Sequence, residues 1–176
     1  MPTPRNILNP LNQLIILTIS LVWASVGMAQ DEEIHLSESL DVKTLYQPIA
    51  SLEVHGDTAV SLLEELETKH YRAVEVDDNF SSVIFDSLID TLDGSHSYFL
   101  RSDIDELSKF RYTLDDSLKS GSVEPGFEIY NTYYKRVLER LIYAITRIEN
   151  NIPQMDFSVD EYIQLNREDA PYAESI

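Results

Sequence analysis

LDGSHSYFLRSDIDELSKF, Leu92 to Phe110, is the stretch whose reading decides the fold. It gathers one histidine, several hydroxyl groups and four acids (Asp93, Asp103, Asp105 and Glu106) into a short run. Taken as chemistry, it is a metal or catalytic loop; taken as structure, it is a helix end, a turn and a helix start. A calcium loop starting at Asp93 needs oxygen ligands at its third and fifth places, glycine at its sixth and glutamate at its twelfth. The chain has Ser95, Ser97, Tyr98 and Ile104 there, so the decisive places fail. Ser95, His96 and Ser97 are neighbours on a turn, which does not align a nucleophile with its base. DGS lacks the further glycines and the lysine of a phosphate loop.

The structural reading accounts for the same residues. Asp93-Gly94 ends one helix, and Tyr98, Phe99 and Leu100 pin the turn to a core. Ser102 is expected to cap the next helix with Asp105 three residues on, and Asp103 and Glu106 suit the positive end of the helix dipole. His96 is left as an exposed turn residue without a partner.

Working outward, the flanks read as helices. Upstream, Asp57 is an expected N-cap for TAVSLLEELETKHY, whose Ala59, Leu62, Leu63, Leu66 and His70 recur at helical spacing. Asp77 and Asp78 cap NFSSVIFDSLIDTLD, with Phe80, Val83, Ile84, Ser87, Leu88 and Leu92 on one side and Phe85 and Ile89 widening the stripe. Downstream, Ile104, Leu107, Phe110 or Arg111, Leu114 and Leu118 suggest one helix that ends at Gly121. The longest element runs from Glu124 to Asn150, with Phe127, Tyr130, Tyr134, Val137, Leu138, Leu141, Ile145 and Ile148 in one stripe. Lys135, Arg136, Glu139, Arg140 and Arg147 are expected on its solvated face. With no competing strand alternation, the fold class expected is all-α, with about four main helices.

Composition agrees. In 176 residues there are only five glycines and seven prolines, too few for a turn-rich strand architecture. The formal net charge is −18, from 13 basic and 31 acidic residues, a surface that repels phosphate backbones and argues against nucleic-acid partners. The chain has no cysteine, which removes thiol catalysis, disulfides and zinc–thiolate sites. The four histidines (His35, His55, His70 and His96) are too scattered for a helical zinc motif. No catalytic, cofactor-binding or metal-binding residue is therefore assigned.

The N-terminus reads as an address. Arg5 precedes the apolar run Leu14 to Val26, which is short for a bilayer crossing of about 20 residues. Gly27-Met28-Ala29 supplies small residues before an acidic start, the order of a secretory signal peptide. The expected organisation is a signal peptide over 1–29, a poorly ordered leader over 30–56, a helical domain over 57–152 and an extended irregular tail over 153–176. Cleavage near Ala29 makes the product exported, periplasmic or peripheral at the inner membrane.

Three runs in order, KHYRAVEVDDNFSSVIFDSLIDTLDGSHSYFL, FEIYNTYYKRVLERLIYAI and MDFSVDEYIQLNREDAPY, resemble the N-terminal helical region of the tail-specific proteases, or C-terminal processing peptidases. The resemblance rests on His70 and Tyr71; on Asp93, Tyr98, Phe99 and Leu100; and on Tyr130, Arg136, Glu139 and Arg140. NREDAPY stands where the family has a segment like DREKAPW, with Asn166 for the acid and Tyr172 for the tryptophan. The resemblance implies a periplasmic serine endopeptidase that recognises substrate C-termini through a PDZ domain and cuts with a serine–lysine dyad, without a cofactor. The dyad and the PDZ domain would follow Ile176. This chain would be the non-catalytic scaffold or docking portion, its partners the downstream domains, an envelope lipoprotein adaptor and protein substrates. The alternative is a stand-alone periplasmic helical binding or adaptor protein.

Overall fold

The structure, a computed structural model, describes residues 40–176. The expected signal peptide and the first part of the leader lie outside the described residues. Within them the fold is all-α: α1 (Val42–Leu45), α2 (Glu53–Lys69), α3 (Asp78–Asp93), α4 (Arg101–Leu107), α5 (Leu114–Lys119) and α6 (Glu124–Asn151). Single 3-10 turns follow α4 (Ser108–Phe110) and α6 (Ile152–Gln154). No described helix is long and apolar enough to cross a membrane.

α3 is the central element. Asp77 caps it by accepting from the Phe80 amide at 2.9 Å, which satisfies one of the free N–H groups of the first turn. Its buried line is Ser81, Phe85, Ile89 and Asp93, a residue every four. Phe85 and Ile89, expected only to widen the stripe, are thus its centre, while Val83 is exposed at 67%. The core joins them to Phe99, Leu107, Leu114 and Ile129, the last fully buried on α6.

The expected continuous helix after the turn is broken. α4 ends at Leu107, and α5 starts afresh at Leu114. Thr113, at the N-cap of α5, makes no side-chain cap. The buried Ser81 on α3 substitutes for it, its hydroxyl accepting from the Leu114 amide at 2.8 Å. Between the two helices Arg111 lies 4.7 Å from the Phe85 ring centre and binds Asp86. The break turns the chain so that both halves of an apparent single stripe meet α3.

α5 ends as expected at Gly121, whose φ of +76° is the left-handed conformation glycine adopts freely. The Ser122 amide donates to Ser117 O and the Gly121 amide to Leu118 O, a two-bond Schellman closure. This turn also seats α2. A Cβ on Gly56 would stand 2.1 Å from the Gly121 carbonyl oxygen, so the two backbones touch only because Gly56 has no side chain. α2 accordingly begins at Glu53, and Asp57, the expected cap, lies inside the helix. The cap region is closed instead by His55, whose Nδ1 accepts from the Leu52 amide at 3.1 Å.

The described part of the expected leader, residues 40–56, holds α1 and the first turn of α2. It runs against α6: the Asn131 side-chain amide both accepts from Ile49 N and donates to Ile49 O, each at 2.8 Å. The tail beyond α6 is irregular, yet its last residues return to the opening turn, where Leu100 and Ala173 form a parallel bridge.

Candidate functional site where three segments converge on one turn

Residues 93–103 leave α3 and enter α4 through a turn with four supports. The first is internal. The buried carboxylate of Asp93 accepts from the amides of Ser97 at 2.7 Å and of Tyr98 and Phe99 at 2.9 Å each. One side chain thereby satisfies three N–H groups that the turn leaves without backbone partners. Asp93 is an anchor of the turn, beyond the helix-end role expected of it.

The second support is Asp103, at the third position of α4. Its Oδ2 accepts from the Leu100 amide at 2.8 Å, half of a capping box in which the cap residue itself, Leu100, has no acceptor. The expected Ser102–Asp105 pair does not form the cap: the helix starts earlier because the Arg101 amide donates to Ala173 O at 3.0 Å.

The third support is α6. Arg136 grips Asp103 with two bonds, Nε to Oδ2 and Nη2 to Oδ1, both 2.8 Å, and its Nη1 reaches Glu139 at 2.6 Å. Burial opposes ionisation of Asp103, but the Arg136 hydrogen bonds, the Leu100 amide and the Arg136 charge outweigh it and hold the carboxyl below its ordinary value. The same bond to Asp103, helped by Glu139, pushes Arg136 upward against its own burial. Arg140 donates to Ser97 O at 3.1 and 2.9 Å. Arg136, Glu139 and Arg140 therefore face the turn, correcting their expected place on a solvated face. The apolar periodicity of α6 is real, but this second polar seam lies beside it, and a helical wheel cannot tell a solvated cation from one that is bound.

The fourth support is the tail. Arg167 donates to Ser95 O at 3.3 Å, Ala170 is buried, and Tyr172 stacks on His96 with ring centres 4.1 Å apart. His96 is the one non-glycine residue with positive φ among the described residues, at +48°. Its Nδ1 lies 2.5 Å from Ala170 O, so this nitrogen carries the donating proton. His96 is half-buried and partnered, correcting the expected exposed residue without one. Its ring is committed to the tail, and Ser95 and Ser97 bond each other, hydroxyl to hydroxyl, at 2.9 Å. The turn is a structural knot, and nothing in it pairs a serine with a base.

A family model described as the tail specific protease N-terminal domain matches residues 62–176, which includes α3 to α6, the turn and the returning tail. The chain belongs to this family. A tail-specific protease of Haemophilus influenzae is 40% identical over 106 residues, a stretch that covers 60% of this chain and 15% of that protein. The chain thus corresponds to a small part of the curated relative's length.

Of the residues singled out from the resemblance to tail-specific proteases, six meet at the knot: Asp93, Tyr98, Phe99, Leu100, Arg136 and Arg140, with Glu139 behind Arg136. Tyr98 and Phe99 also meet Tyr133 of α6, at 5.5 and 5.7 Å between ring centres. Tyr130 is separate. It is partly exposed and lines an apolar hollow of about 500 Å³ between α3, α5 and the start of α6. His70 and Tyr71 also lie apart, at the exposed end of α2, with rings 4.6 Å apart and Arg72 over the Tyr71 face at 5.1 Å. Missed by sequence reasoning were Asp103 as the partner of Arg136, Ser81 as a remote cap, and Arg167 and Ala170 as tail anchors. Among the described residues no group of three or more His, Asp or Glu side chains is placed to share a metal ion.

Proposed function

We propose that this chain is the non-catalytic N-terminal scaffold and docking portion of a periplasmic C-terminal processing serine peptidase. The observation that carries the reading is the family match over residues 62–176, set beside a relative of which the similar stretch makes up 15%. In this reading the serine–lysine dyad and the PDZ domain that reads substrate C-termini lie downstream in the same polypeptide. Export follows from the signal-peptide pattern of residues 1–29 and places the enzyme in the envelope, where a lipoprotein adaptor is a natural partner and protein C-termini are the substrates.

The role of this portion is to hold shape and offer surface. The knot fixes the direction in which α4 leaves α3 and the place to which the tail returns, without a group positioned for bond cleavage. Between its last 3-10 turn and the returning Ala170, the tail displays Phe157, Tyr162, Ile163 and Leu165 at 81, 99, 83 and 93% exposure. Apolar side chains in such a row suit contact with further protein.

Sequencing the coding region past codon 176 tests the reading directly: an in-frame PDZ-like domain followed by a Ser/Lys pair is expected. The purified 176-residue chain should leave peptides with apolar C-termini uncut. Cleavage by this chain alone would overturn the non-catalytic role, and a stop codon at 177 would favour the stand-alone adaptor instead.

A further inference from the structure

The hollow beside Tyr130 has walls that the core leaves half-buried: Ile84 and Leu88 from α3, Leu118 from α5, and Val123 and Phe127 from the start of α6. Ile49 joins them, its backbone pinned to α6 by Asn131. No Asp, Glu, Lys, Arg or His lines the hollow, in a chain of which 25% is charged. Its two serines are already engaged: Ser117 Oγ donates to Thr113 O at 2.9 Å, and Ser122 Oγ donates to Glu124. Pro125 has no N–H, and the Gly126 amide donates to Val123 O at 3.1 Å. A peptide backbone entering here would lose its water and find only the Tyr130 hydroxyl, a cost for each polar group left unpaired. A run of methylenes carries no such cost.

Gly126 points the same way. Each of the other three glycines among the described residues either bends the chain at positive φ or would set a Cβ within 3 Å of a backbone oxygen. A Cβ on Gly126 would meet no atom within 4 Å. Nothing in the fold demands glycine there, inside a helix where alanine is the better former. What its absent side chain does is leave one wall of the hollow open down to the backbone, the close approach that glycine permits to a ligand.

We propose that the hollow binds the alkyl chain of a free single-chain lipid, a long fatty alcohol or fatty acid. The size agrees: an apolar cavity of about 150 Å³ holds one benzene ring, so the roughly 500 Å³ here takes on the order of 18 carbons. Charge argues against a tail still in a bilayer. A chain of net charge −18 is repelled by an anionic lipid surface, and no cation lines the hollow to receive a phosphate. The inference uses the hollow alone and stands apart from the function proposed for the whole polypeptide.

The test titrates the 176-residue chain with cis-parinaric acid, a long-chain fatty acid that fluoresces in apolar surroundings, and displaces it with octanol, dodecanol and hexadecanol. Saturable binding is expected, with the alcohols tightening by about fourfold per added methylene. Gly126→Leu, which fills the hollow, should weaken binding at least about tenfold, with Gly126→Ala between it and wild type. Circular dichroism and the urea midpoint should be kept in both. Tyr162→Ser with Leu165→Ser, on the exposed arm, should leave binding unchanged. Binding that survives Gly126→Leu, or that the arm variant removes, would place the probe elsewhere. Absence of saturable binding would give the hollow to protein side chains, and co-sedimentation with phosphatidylglycerol vesicles that Gly126→Leu abolishes would give it to a bilayer tail. Each of these results overturns the proposal.

Discussion

Two segments of the same family domain have opposite fates. In the turn of residues 93–103, one carboxylate takes three amides, an arginine takes a second carboxylate, and the only strained residue is held at its ring. In the arm of residues 155–166, four large apolar side chains stand almost wholly in solvent. The first segment is closed by its own chain, and the second, in the docking role proposed above, is left open to a partner. Damage to the turn should appear as lost stability, whereas damage to the arm should appear as lost association.

The largest effect is expected from Asp93→Ala. It strands three amide donors, and hydrogen bonds to a charged group are worth about 1.5–3 kcal/mol each, so a loss of at least about 4 kcal/mol should show in the urea midpoint. Arg136→Ala follows at about 3–5 kcal/mol, the cost of leaving the buried Asp103 charge without its partner.

The sign of the pH effect is fixed by the lowered Asp103 value. Its contribution is fully present above the ordinary 3.8 and is lost as pH falls through the lower folded value. The gap between wild type and Arg136→Ala should therefore narrow in acid. Equal gaps at pH 7 and pH 2.5 would remove the ion pair from the account.

Tyr172→Ala, which loses the stack on His96, should cost about 2 kcal/mol, and amide exchange at residues 95–97 should rise with it. Smallest of all, Tyr162→Ser with Leu165→Ser should change stability by no more than about 0.5 kcal/mol. A large destabilisation there would erase the contrast between the two segments.

The helices were legible because periodicity is local. α3, the long α6 and the glycine stop at Gly121 follow from spacing and cap residues within a few positions. What escaped was set by residues far away in the chain. The break before α5 depends on a serine hydroxyl 33 positions upstream, the start of α4 on a carbonyl in the tail, and the partner of His96 on Ala170, 74 positions on. The same limit hid the seating of α2, since Gly56 reads as a weak helix residue until Gly121 is seen against it. Arg136 and Arg140 looked like surface charge for the same reason: their binding partners belong to other segments. The knot was visible as a distinctive motif, but the direction of its contacts was not.

The clamp of the tail on His96 also imposes an order in time. Helices form within microseconds, yet the turn cannot be completed until Ala170 to Ala173 have been made. At about 5–20 residues per second, the 74 residues separating His96 from Ala170 take between about 4 and 15 s to synthesise. Through that interval the most heavily bonded turn of the finished domain stays open on its tail side. A segment held by so many bonds at the end is therefore among the last to close, and a chaperone or protease acting on the nascent chain would find it there.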